Sequence, residues 1–111
     1  MDREKVWKKF ECRCAYCGRL IALKDMLVDH RVPKKNGGTD EFGNLMPSCR
    51  LCNHYKRAES LEHFRQAIST IPQKLGERQY IYKVGMAYGF YDNAQRTVKF
   101  WFEQLAEKYD I

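Results

Sequence analysis

Two cysteine pairs bracket the middle of the chain, Cys14-Ala15-Tyr16-Cys17-Gly18 and Cys49-Arg50-Leu51-Cys52-Asn53, with residues 18–48 between them. A C-x2-C pair bends two sulfurs onto one ion, and two pairs supply the four thiolates of a closed tetrahedral zinc site. Gly18 permits the tight turn after the first pair. Cys14 has the right spacing to partner Cys17, which leaves Cys12 as a bystander thiol. A zinc ribbon separates its pairs by about 15–20 residues. The longer insert here has room for a hairpin and a loop, so the zinc is expected to fasten a hairpin to a helix.

The insert carries Val28-Asp29-His30-Arg31-Val32-Pro33, then Asn36-Gly37-Gly38-Thr39-Asp40, then Asn44-Leu45. Apolar runs at 20–23 and 26–29 flank Lys24-Asp25 and predict a hairpin, with Pro33 ending its second strand. From Ser48 to about Arg57 the pattern is helical. On that helix Cys49, Cys52, Asn53, Lys56 and Arg57 share one face. The zinc ligands fix this face, so they also aim Asn53 and Lys56 at Asp29 and His30 on the hairpin. His54 rivals Asn53, but a turn of about 100° per residue is expected to point it away. Adjacent strand residues face opposite ways, so Asp29 and His30 can serve one site only if the strand ends or twists there.

Outside this stretch, Asp2 can cap a helix carrying Val6, Trp7 and Phe10 that ends near Glu11. Ser60 can cap another, with Leu61, Phe64, Ala67, Ile68 and Ile71 on one face and Pro72 and Gly76 as its end. Residues 79–88 read as helix despite Gly85. Val98 to Leu105 suits a strand or a helix equally. The aromatics Tyr80, Tyr82, Tyr88, Phe90, Tyr91, Phe100, Trp101 and Phe102 are expected in the core rather than as base-stacking platforms. The expected class is α+β: a module over 1–58 and a mostly helical extension over 59–111 packed on the same domain.

With 111 residues the length suits one domain, and 44% hydrophobic content argues against disorder. Domains of this size gain from a metal staple. No apolar run approaches the roughly 18 residues of a membrane span. The charged start, Met1-Asp2-Arg3-Glu4-Lys5, has no apolar stretch behind it, so a cytoplasmic location is expected. Five cysteines in a reducing compartment favour metal over disulfides. A formal charge of +6 fits a polyanionic partner such as nucleic acid.

From Cys14 to Lys56 the chain resembles the HNH endonuclease family: a C-x2-C knuckle, an Asp-His pair, a Pro and Gly-Gly loop, an Asn-Leu step, and a second C-x2-C followed by Asn. The resemblance implies a ββα-metal core that cleaves DNA, double-stranded in the first instance. It implies that His30 is the general base, that Asp29 and Asn53 hold a catalytic metal, and that Asn44 braces the loop and the orientation of His30. Cys14, Cys17, Cys49 and Cys52 would bind the structural zinc. The chemistry of the residues agrees. Histidine is suited to taking a proton from water near neutral pH. A carboxylate and an amide oxygen suit magnesium or manganese, which keep several waters. Lys34, Lys35, Lys56 and Arg57 are candidate phosphate contacts. A non-catalytic zinc module that binds nucleic acid would account for the cysteines and the charge, but not for the Asp-His pair or Asn53. A protein-interaction module that has lost activity is the second rival.

Overall fold

In the computed structural model of the chain, which describes residues 1–109, Asp2 caps α1 (Arg3–Lys8) by accepting the Lys5 N–H at 3.2 Å. The strands β1 (Leu27–His30) and β2 (Leu45–Ser48) follow, then α2 (Arg50–Lys56), α3 (Leu61–Ser69), α4 (Ile71–Arg78), α5 (Tyr80–Ala87) and α6 (Trp101–Tyr109). The class is α+β, mostly helices with one small two-stranded antiparallel sheet. The chain divides into two compact units, Met1–Leu61 with the segment from Lys99, and Glu62–Val98.

The hairpin differs from the sequence expectation. β1 pairs with β2, Leu27 opposite Ser48 and His30 opposite Leu45, and not with residues 20–23. Leu23–Asp25 closes into a single 3-10 turn, and Leu20 makes only an isolated bridge to Arg13. β2 is buried at every position and contains Pro47, so it shows neither alternation nor a clean strand composition.

In the first unit Val6, Met26 and Leu45 form a small core edged by Trp7, Ile21, Leu23 and Val28. Lys9 ties α1 to the sheet: its ammonium donates to the carbonyls of Phe42 at 2.7 Å and Leu45 at 2.9 Å. Burial, with Arg31 adding to it, lowers the Lys9 pKa. The helix stops at Lys8 rather than Glu11, because Glu11 and Cys12 take left-handed φ values of 63° and 59° that swing the chain into the cysteine knuckle.

The ambiguous last segment forms no strand: it has no regular structure up to Phe100 and is helical from Trp101. Phe100, Phe102 and Leu105 are buried there. The Trp101 and Phe102 N–H groups donate to the carbonyls of Tyr16 at 3.0 Å and Ala15 at 2.9 Å, so this segment backs the knuckle.

Two further expectations are corrected, the first of them within the second unit. Pro72 sits in the first turn of α4 and starts that helix, where its missing N–H is harmless, and Gly76 lies inside it. The aromatics also divide. Phe100 and Phe102 are core, but Tyr80, Tyr88, Phe90 and Tyr91 are exposed. Tyr91 lies against α5 at Gly85, where a Cβ would come within 2.3 Å of its ring, and stacks on Tyr82 at 4.6 Å.

Candidate active site

The four sulfurs of Cys14, Cys17, Cys49 and Cys52 lie within 4.8 Å of one another, and Cys12 stands outside this group. Gly18, at φ +80°, folds back so that its N–H reaches the Cys14 carbonyl at 3.0 Å. The Ala15 N–H docks on the Pro47 carbonyl at 2.8 Å, which fixes the knuckle to β2. Cys49 is the N-cap of α2, and its sulfur accepts the Cys52 N–H at 3.4 Å.

The Cys17 and Cys49 sulfurs are 3.8 Å apart. A tetrahedron with metal–sulfur bonds of about 2.3 Å has edges of about 3.8 Å, so the donors fit zinc in kind and in size. Arg19 donates to the sulfurs of Cys17 and Cys49 at 3.4 Å each. The bond from Cys52 pulls the Cys14 thiol pKa down, while that same contact pushes Cys52 up and burial pushes Cys17 up. Sulfurs packed this closely cannot all ionise without a cation among them.

Beside the cage, the end of β1, the turn after Pro33 and the last residues of α2 enclose a cleft of 530 Å³. Asp29 and His30 both line it, because the strand ends at His30 and frees that side chain from the sheet's alternation. Asp29 is buried. Its Oδ2 accepts the Tyr16 hydroxyl at 2.5 Å and pairs with the Lys56 ammonium at 3.0 Å. Its Oδ1 has no protein partner among the described residues. Burial, reinforced by Asp29, raises the Tyr16 pKa, so the phenol stays a donor.

Lys56 is the main correction among the site residues. Its side chain is 0% exposed, with the ammonium on Asp29 and on the His30 carbonyl at 3.1 Å. It is therefore a buried counterion and not a phosphate contact on the surface.

His30 is partly exposed, and its Nε2 lies 2.7 Å from Asp40 Oδ1. The other Asp40 oxygen pairs with Lys34 at 3.0 Å. The His30 bond, then Lys34, holds the Asp40 carboxyl below its usual range. His30 Nδ1 has no protein partner among the described residues. The following loop is pinned by Asn44. Its Oδ1 accepts the Val32 N–H at 2.8 Å, and its Nδ2 donates to the carbonyls of Val32 at 3.0 Å and Thr39 at 2.8 Å. Gly38 is required here: a Cβ would meet the Val32 carbonyl oxygen at 1.7 Å.

Asn53 lines the cleft from α2, and its side-chain amide is not committed to another protein group among the described residues. His54 lines the cleft too, contrary to the expectation that it looks away. The cleft wraps around the end of a short helix, so successive residues reach it. Lys34, Lys35 and Arg57 are exposed on its rim, with Lys35 paired to Glu59 at 3.2 Å. Sequence reasoning did not single out Tyr16 or Asp40. The position of Tyr16 between two ligand cysteines was the available signal; Asp40 looked like a turn residue.

The family model described as HNH endonuclease matches residues 14–59. A CRISPR-associated endonuclease Cas9 of Corynebacterium diphtheriae is 41% identical over 61 residues, which span 50% of this chain and 6% of that protein. The crystal structure of the Type II-C Cas9 enzyme from Actinomyces naeslundii is similar in fold, with a TM-score of 0.55 at 20% identity over 97% of this chain and 14% of that one. The chain thus spans a small part of both relatives. Knuckle, hairpin and helix coincide with the segment, residues 14–59, that matches the HNH endonuclease family model.

Proposed function

We propose that this domain hydrolyses DNA phosphodiester bonds, with His30 as general base and a divalent metal held by Asp29 and Asn53. The observation that carries the reading is the convergence of His30, the unbonded Asp29 Oδ1 and the uncommitted Asn53 amide on one cleft. Oxygen donors of this kind suit magnesium or manganese. When bound, such an ion supplies a Lewis acid for the phosphate and the leaving 3′ oxygen.

The protein's own groups do the rest. Asp40 holds His30 Nε2, which leaves Nδ1 to take the proton of the attacking water. Asn44 fixes the loop that follows His30 and carries its partner Asp40. Lys34, Lys35 and Arg57 neutralise phosphates at the rim. Zinc in the four-cysteine cage holds the knuckle to α2. The name of the 41%-identical protein, a CRISPR-associated endonuclease, supports endonuclease activity.

Supercoiled plasmid incubated with the protein should be nicked or linearised with magnesium or manganese and left intact with chelator. Salt-dependent DNA binding without cleavage under any divalent metal would make the non-catalytic zinc module the better reading.

A further inference from the structure

We infer that Tyr16 is a positioning residue for the metal-ligating carboxylate: its hydroxyl, with Lys56, commits Asp29 Oδ2 to the protein so that Oδ1 alone faces the cleft. The inference rests on the reading of Asp29 as a metal ligand. A free carboxylate can turn about its Cβ–Cγ bond and offer either oxygen or both. Here the Tyr16 hydroxyl at 2.5 Å and the Lys56 ammonium at 3.0 Å both fall on the same oxygen. That removes the rotation and the two-oxygen mode.

The phenol is itself held. Tyr16 lies between Cys14 and Cys17, so the cage sets its backbone. Its carbonyl accepts the Trp101 N–H at 3.0 Å. Its ring meets Phe100 edge-on at 5.3 Å and Phe102 at 6.3 Å. The residue is 3% exposed, so water does not replace its hydroxyl. An outer partner that fixes a metal ligand commonly affects metal affinity by about 10- to 100-fold.

The test uses the full chain and Mn²⁺ alone, followed by the electron paramagnetic resonance of the free ion, in wild type, Tyr16→Phe and Asp29→Ala. Zinc content and melting temperature are measured alongside. Tyr16→Phe should keep the zinc content of wild type and bind Mn²⁺ about 10- to 100-fold more weakly, while Asp29→Ala should lose the site. Wild-type Mn²⁺ affinity in Tyr16→Phe, with Asp29→Ala impaired, overturns the positioning role and leaves the metal reading standing. Wild-type affinity in Asp29→Ala overturns the metal reading itself. If Tyr16→Phe does not fold, 3-fluorotyrosine placed at position 16 keeps the hydroxyl and the ring. Its ¹⁹F resonance should move as Mg²⁺ saturates the protein, and a resonance that stays still overturns the inference.

Discussion

On one wall of the cleft Asp29 and Lys56 show 8% and 0% side-chain exposure and pair at 3.0 Å beneath Tyr16. On the other His30 and Asp40 show 29% and 68%, and Asp40 shares its carboxylate with an exposed Lys34. The bond lengths are similar and the energetics are not. Breaking a buried pair strands a charge in low dielectric, whereas an exposed pair is screened by water and salt. The first wall therefore belongs to the fold and holds a carboxylate still. The second is the wall that can respond to salt and ligand, which suits the proposed role of His30.

This contrast is broken most easily at Lys56. Lys56→Ala leaves Asp29 buried without its counterion and should destabilise the domain by about 3–5 kcal/mol, a large share of a small domain's total. Urea denaturation checks it; a loss below about 1 kcal/mol would mean that the pair is solvated like a surface one.

The rim should respond differently. If Lys34 and Lys35 reach phosphates, each alanine substitution should weaken DNA binding evenly across sequences and lower the salt slope of binding by about 1. Stability should stay near wild type, because both side chains are solvated. An unchanged slope would remove them from the DNA-binding surface.

The smallest effect belongs to Asp40. Its folded pKa lies below its unfolded value. The stabilisation is thus fully present above the unfolded carboxylate range, about pH 4, and is lost as pH falls through the lowered folded value. Asp40→Asn should be slightly less stable than wild type at pH 7, and the two denaturation midpoints should converge in acid. Loss of the cage in acid acts on both proteins alike. A gap that persists in acid would show that the carboxylate charge is not what matters.

What the sequence disclosed and what it hid follow the same division. The cage was legible because C-x2-C is a local spacing, and Asn53 because helical periodicity places it relative to the cysteines. The Asp-His pair was legible as two side chains that could share one site, and the strand end at His30 is what lets both line the cleft. The pairing of β1 with β2 was not legible, because a buried strand of four residues containing Pro47 carries no period. Lys56 misled because depth is a tertiary property: a lone lysine on a helix reads as surface, and only the packed sheet puts it under Asp29. The exposed Tyr80, Tyr88, Phe90 and Tyr91 misled in the opposite sense, being apolar by composition yet outside the core.

The central claim is that His30 performs chemistry on a scaffold that holds and folds without it. The direct test is a paired measurement on wild type and His30→Ala at one salt concentration: the plasmid-nicking rate with Mg²⁺ and the DNA dissociation constant. The account predicts a rate about 10²- to 10⁴-fold lower with nearly unchanged affinity. Unchanged cleavage by His30→Ala would contradict it.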